Sequence, residues 1–196
     1  DLAHEHGLLL HLDGARLSNA AAALGKNFKE FTTGVGVDLV SLGGTKIGAL
    51  AAEAVVVTNT KSEHGARLAE AMPYLRKTSM QLPSKMRFVS AQLNALFADG
   101  AKVALENARI ANSMAAKLYS GVMEISSESP EVTVPNPADA NAVFPILPSE
   151  VTSKLQEQFR FYVWDQTTGQ VRWMCSWDTT EEDVEGLLAA LRAAVS

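Results

Sequence analysis

Cysteine is nearly absent from this sequence, and that scarcity restricts the kind of protein it encodes. Cys175 is the single cysteine among 196 residues, so the chain can form neither an intrachain disulfide framework nor a cysteine-ligated metal cluster. Proteins without disulfides are typical of a reducing compartment, and we expect this one to be cytoplasmic. We expect Cys175 to be a small buried apolar residue rather than a nucleophile.

Long apolar runs and an excess of positive charge are missing as well. No run approaches the roughly 20 apolar residues that span a bilayer, so we expect no membrane association. With a formal net charge of -5, nucleic-acid binding is not expected either. His4, His6 and His64 look like helix-surface residues and show no arrangement of acidic partners that would suggest a metal site. The composition, 47% hydrophobic and 20% charged, is typical of a globular protein.

The sequence opens D-L-A-H-E-H-G and has no initiator methionine. Residues 1–6 have the pattern of the last turns of a helix, and Gly7 would end it. Since a polypeptide seldom begins inside a helix, we expect an N-terminal segment to precede this sequence on the same chain or on another.

Short apolar runs alternate with helical patterns in the first half of the chain. We predict strands at 8–12, 37–42 and 53–57, and helices at 17–24, 61–77 and 88–97. This alternation predicts an α/β fold with a mainly parallel sheet that is buried on both faces.

The second half has a different pattern. We predict helices at 101–118 and 149–159, strands at 122–125 and 141–147, a hairpin of 161–165 with 170–176, and a last helix starting at Thr180. These elements predict a small C-terminal α+β domain at residues 101–196, after a larger domain at residues 1–100.

The stretch S-L-G-G-T-K-I-G places Lys46 among three glycines directly after a predicted buried strand. Glycine lets a backbone approach a ligand closely, and a lysine amine in such a place can attack a carbonyl to form a Schiff base. A strand-to-turn connection whose lysine points into water also fits this motif.

The stretch H-L-D-G-A-R ends another predicted strand. His11 and Asp13 are two residues apart, so both side chains face the same way, and Asp13 lies at the strand end where open α/β sheets bind ligands. A helix-capping Asp with a nearby Arg16 also fits. Together, however, Asp13 and Lys46 are the pair that pyridoxal phosphate requires: an amine for its aldehyde and a carboxylate for its ring nitrogen.

These two motifs resemble those of the threonine aldolase group within the fold-type-I pyridoxal-phosphate enzymes. The resemblance continues through Y-L-R-K and S-K-M-R-F-V-S-A-Q to V-R-W-M-C-S-W-D, so it covers nearly the whole chain. It implies that this chain is part of a fold-type-I large domain, followed by the small C-terminal domain.

The resemblance also implies roles for individual residues. Lys46 would carry the cofactor as a Schiff base, and Asp13 would pair with its pyridine nitrogen. Arg16 would lie beside the phenolic oxygen and the substrate carboxylate. Arg172 would bind that carboxylate too, although an exposed strand arginine fits the residues equally well.

The resemblance also implies basic residues near the phosphate of the cofactor. Lys77 and Arg87 match family positions near it, and they would reach it from a neighbouring subunit. The segment at 78–85 departs from the Gly-rich version of the family. Thr45 would touch the phosphate or only satisfy its own turn.

The implied reaction is aldol cleavage of β-hydroxy-α-amino acids, such as threonine to glycine and acetaldehyde. A β-eliminating lyase, a phenylserine aldolase, an aminotransferase and a non-catalytic α/β binding module remain alternatives. The resemblance implies a homodimer or homotetramer. The phosphate-binding loop, the residue stacked on the ring and the general base of the family lie upstream, so we expect these 196 residues alone to bind cofactor poorly and to be inactive.

Overall fold

Two sheets, one in each half of the chain, organise the fold of this computed structural model, which describes residues 2–196. The chain divides into two units, residues 1–106 and residues 107–196. Within residues 2–196, no helix combines the length and the apolar character needed to cross a membrane.

The first unit is an α/β structure, as the sequence predicts. Its elements are α1 (Leu2–Glu5), β1 (His11–Gly14), α2 (Leu17–Leu24), β2 (Leu39–Gly43), β3 (Glu53–Val57), α3 (Glu63–Thr78) and the start of α4 (Met86–Glu128). The predictions for α2 and β3 match to the residue, and α3 is confirmed within two residues. β1 starts later than predicted.

The sheet of this unit has the order β1-β2-β3, and its strands are not all parallel. β1 and β2 pair in parallel, with Asp13 opposite Ser41, whereas β3 runs antiparallel to β2. The reason lies in the connection at residues 44–52, which is shorter than the dozen or so residues that a parallel crossover needs. β1 is also not buried on both faces, since Asp13 is exposed.

A buried carboxylate joins α1 to the beginning of the sheet. Asp38 is 2% exposed, and its Oδ2 lies 2.8 Å from Nε2 of His4 and accepts a hydrogen bond from the backbone N–H of Leu10 at 2.9 Å. Burial by itself would raise the pKa of Asp38, but these hydrogen bonds outweigh burial and hold the pKa below its usual value. His4 therefore has an acidic partner, which the sequence pattern did not indicate.

Replacing Asp38 by Asn is expected to lower the free energy of unfolding by about 2 kcal/mol at pH 7, because charge-assisted hydrogen bonds are lost. Since the pKa of Asp38 is depressed in the folded state, its contribution is complete above the unfolded value of about 3.9 and is lost as pH falls through the folded value. Urea titrations should therefore show a smaller deficit near pH 3 than at pH 7. Asp139→Asn, at an exposed position, is the control. Equal deficits at both pH values would contradict this account.

The second unit consists of the remainder of α4, then β4 (Ala142–Val143), α5 (Ser149–Gln156), β5 (Tyr162–Asp165), β6 (Gln170–Met174) and α6 (Glu181–Val195). Its antiparallel sheet has the order β4-β6-β5, and the predicted hairpin is confirmed as β5 and β6. Thr180 and Asp183 form the capping box that begins α6.

The strand predicted at 122–125 is wrong, because α4 continues through it to Glu128. Ala115, Leu118, Val122 and Ile125 are all buried at helical spacing, so the apolar run is one face of a helix. Non-helical backbone angles at residues 98–101 do interrupt α4, between the two helices that the sequence predicts.

Two glycines of the second unit lead to opposite predictions. A Cβ added to Gly121, in α4, would lie 2.3 Å from Cδ1 of the buried Leu188, whereas at Gly186, in α6, it would meet nothing within 4 Å. Gly121→Ala should therefore destabilise the protein by about 1–3 kcal/mol through overpacking. Gly186→Ala should stabilise it by about 0.5–1 kcal/mol, since alanine favours the helix. Chemical denaturation of both variants measures the difference, and a stabilised Gly121→Ala would refute the packing argument.

Candidate active site

The two predicted site motifs meet at one edge of the first sheet. Asp13 lies at the C-terminal end of β1, and Lys46 lies three residues beyond the end of β2. Because β1 and β2 are parallel neighbours, both motifs leave the sheet at the same edge. Both side chains are exposed. The carboxyl ends of parallel strands are the usual ligand-binding edge of such a sheet.

Two glycines allow the motifs to approach each other closely. A Cβ on Gly14 would lie 2.7 Å from the carbonyl oxygen of Ser41, and a Cβ on Gly43 would lie 2.8 Å from the carbonyl oxygen of Ala15. Any larger residue at either position would force the strands or their turns apart. These glycines therefore permit close backbone contacts within the protein.

The turn that carries Lys46 is fastened to the beginning of β3. The N–H of Gly44 donates to the carbonyl oxygen of Ala52 at 2.9 Å, and the N–H of Ala52 donates to Oγ1 of Thr45 at 3.3 Å. The next residue, Ile47, is 1% exposed and belongs to an apolar cluster with Leu96. The backbone on both sides of Lys46 is thus held in place, while its amine stays accessible.

Asp13 has one oxygen engaged and one available. Its Oδ1 accepts a hydrogen bond from the N–H of Ala15 at 3.1 Å, in the turn that follows β1. Within the described part of the chain, no hydrogen bond reaches Oδ2. The carboxylate is therefore fixed by its own turn and presents a free oxygen beside the strand end.

The burial and contacts of three other predicted residues of the first unit do not by themselves indicate a ligand. Arg16 is half-buried at the beginning of α2. Thr45 satisfies its own turn through Ala52, which is the simpler of its two predicted roles. Arg87 is exposed, and its guanidinium carbon lies 4.7 Å above the centre of the Phe88 ring. A role for these residues in phosphate or substrate binding stays a prediction, as it does for Lys77.

In the second unit, Arg172 differs from the solvated strand arginine that the sequence allowed. Its guanidinium carbon lies 4.7 Å above the Trp164 ring. Its Nε is buried and has no hydrogen-bond partner among residues 2–196. Together with Arg160 and Trp173, it borders a cleft of about 420 Å³ within this unit. A buried, unpaired donor at a cleft suits an anionic acceptor.

Sequence reasoning missed two side chains that support the lysine turn. Oε1 of Gln92 accepts a hydrogen bond from the N–H of Leu50 at 2.8 Å, and Oε1 of Glu53 accepts one from the N–H of Thr45 at 3.3 Å. Gln92 is 42 residues from Leu50, so no local pattern could have revealed this contact.

Cys175 is buried in the second unit, as predicted, and desolvation raises the pKa of its thiol to about 11. Only about one thiol in a thousand would be ionised at pH 8, so the native protein should react with a thiol reagent at least about 100-fold more slowly than the urea-unfolded protein. Ellman's reagent measures both rates. Rapid labelling of the native protein would show that Cys175 is reactive after all.

Comparisons with known proteins show which family the chain resembles. Residues 1–147 match the beta-eliminating lyase family. The chain is 42% identical over 193 residues to the low specificity L-threonine aldolase of Pseudomonas sp. strain NCIMB 10558, covering 98% of this chain and 52% of that protein. It is 39% identical over 189 residues to the protein of the same name from Pseudomonas aeruginosa, covering 96% and 51% respectively.

A solved structure resembles this fold closely. The threonine aldolase of Leishmania major superposes with a TM-score of 0.78 at 25% identity, covering 99% of this chain and 54% of that one. This chain belongs to the beta-eliminating lyase family. It spans about half the length of the curated relatives that it matches.

Proposed function

We propose that this chain provides the lysine and aspartate of a pyridoxal-phosphate enzyme that cleaves β-hydroxy-α-amino acids, as its similarity to threonine aldolases suggests. The observation that carries the proposal is the placement of an accessible lysine and an accessible aspartate at the same edge of parallel strands. Threonine would give glycine and acetaldehyde. Residues 1–100 would form part of the large, cofactor-binding domain of a fold-type-I enzyme, and residues 101–196 would form its small C-terminal domain.

The donor set at this edge fits the cofactor. Lys46 offers an exposed amine for the aldehyde, and Asp13 offers a free Oδ2 for the protonated ring nitrogen. When bound, pyridoxal phosphate supplies an electron sink for negative charge at the substrate Cα. Asp13 would preserve that capacity, because a carboxylate beside the ring nitrogen favours its protonated form.

The remaining residues would hold the ends of the cofactor and the substrate. We propose that Arg16 and Arg172 bind the carboxylate of the amino acid, since guanidinium groups bind carboxylates with two parallel hydrogen bonds. Thr45 and Arg87 are proposed at the phosphate. For Arg172, the buried and unpaired Nε is the supporting observation. We also propose a homodimer or homotetramer, as the resemblance implies.

Borohydride trapping tests the cofactor assignment. The complete protein containing this chain, supplied with pyridoxal phosphate and reduced with borohydride, should carry a pyridoxyl group on the peptide of Lys46, detected by mass spectrometry. Lys46→Ala should abolish this adduct, because the attacking amine is gone, whereas Lys29→Ala, at another exposed lysine of the first unit, should leave it intact. An unmodified Lys46 in a folded protein would overturn the proposal and favour the non-catalytic module.

The choice of reaction is tested by the products. Glycine and acetaldehyde from threonine would support aldol cleavage. A keto acid with released ammonia would point to elimination, and a keto acid with an aminated acceptor to transamination. Cleavage of phenylserine in preference to threonine would identify the remaining alternative. The Asp13 and Lys46 pair is compatible with all of these reactions, so it does not distinguish them.

A further inference from the structure

Three polar side chains share one face of the sheet beside the proposed cofactor. His11 and Asp13 are two positions apart on β1, so they project to the same face. Ser41 is the residue of β2 opposite Asp13. Nε2 of His11 lies 2.9 Å from Oγ of Ser41, which places the side chain of Ser41 on this face too.

The hydrogen bond between His11 and Ser41 contributes little to the stability of the fold. His11 is exposed and Ser41 is only half-buried, so water competes for both groups. The backbone pairing of β1 with β2 already fixes the register of the strands. A side-chain hydrogen bond in such a place adds little stability, so its position next to Asp13 is the more informative property.

We propose that His11 and Ser41 are positioning residues for Asp13, and this proposal rests on the proposed function. The carboxylate of Asp13 is held at Oδ1 by its own turn. Neighbouring strands are about 4.8 Å apart, so Ser41 is the lateral neighbour of Asp13 on this face. His11, which is two residues before Asp13 on β1, bonds to the Ser41 hydroxyl from the side away from the C-terminal ends of the two strands.

The direction of the hydrogen bonds follows from this arrangement. When Nε2 of His11 carries the proton, it donates to Oγ of Ser41 and leaves the hydroxyl proton free to point at Asp13. Among residues 2–196 Ser41 and Asp13 are not hydrogen-bonded to each other, so this contact would form with the cofactor bound: the hydroxyl of Ser41 would donate to Oδ1 beside the N–H of Ala15, and Oδ2 would be left for the ring nitrogen. Side chains that contact a cofactor are commonly oriented by hydrogen bonds to further residues, because small changes in their orientation weaken the contact.

Cofactor binding and orientation test the proposal in the complete protein. Pyridoxal phosphate is titrated into Ser41→Ala, His11→Ala and the double variant, and its dissociation constant and the circular dichroism of its absorption band are measured. Each single change should weaken binding about three- to tenfold and alter the dichroism, because Asp13 loses its lateral support. The double variant should be no weaker than the worse single variant, since both changes remove one chain of hydrogen bonds.

Conservative variants separate positioning from a general loss of structure. Ser41→Thr keeps the hydroxyl and suits a strand, so it should restore the dissociation constant and the dichroism, and His11→Gln should restore them in part. His6→Ala is the matched control, because His6 is exposed just after α1 and its side chain is hydrogen-bonded to the carbonyl oxygen of Leu2, away from the candidate site residues. All these variants should unfold at nearly the same urea concentration as the parent.

The outcomes distinguish this inference from the proposed function. If the parent protein forms the Lys46 adduct, and the alanine variants bind cofactor with unchanged affinity and dichroism, the positioning role is refuted and the proposed function stands. Additive effects in the double variant, or no recovery with Ser41→Thr, would also refute it. If the parent forms no adduct, the proposed function fails first, and the inference fails with it.

Discussion

The close contact between the ends of β1 and β2 is the constraint on which the candidate site depends. Gly14 lies against the backbone of Ser41, and Gly43 lies against the backbone of Ala15, at separations that no Cβ would permit. Parallel pairing brings the two strand ends to one edge, and these glycines bring the turns beyond them together. The carboxylate of Asp13 and the amine of Lys46 are therefore presented by neighbouring, mutually supported turns.

Around this contact, the protein combines a rigid backbone with accessible side chains. The lysine turn is held by hydrogen bonds to Ala52 and by the burial of Ile47. Lys46 itself projects from this fixed turn and is exposed. Such a separation suits a site that must receive a large ligand, because the backbone does not have to be ordered when the ligand binds.

Much of this organisation could be predicted from the sequence, because it is local. The alternation of apolar runs with helical spacing predicts α2, β3 and the hairpin of β5 with β6, and the Thr180 capping box predicts where α6 begins. The strand predicted at 122–125 is wrong for an equally physical reason. A short, mostly apolar stretch suits a buried strand or a helix face, and only the packing of Val122 and Ile125 in the apolar core of the second unit decides between them.

The sequence by itself determined the chemistry at the strand ends: an acid after one strand, a glycine-framed lysine after the next, and the family to which these motifs belong. The tertiary structure alone decided what surrounds them. It set the bond between His11 and Ser41, the burial of Asp38 against His4 and the stacking of Arg172 on Trp164. These contacts join residues that are distant along the chain or that meet only because their strands pair. Neither the spacing nor the composition of the sequence could therefore predict them.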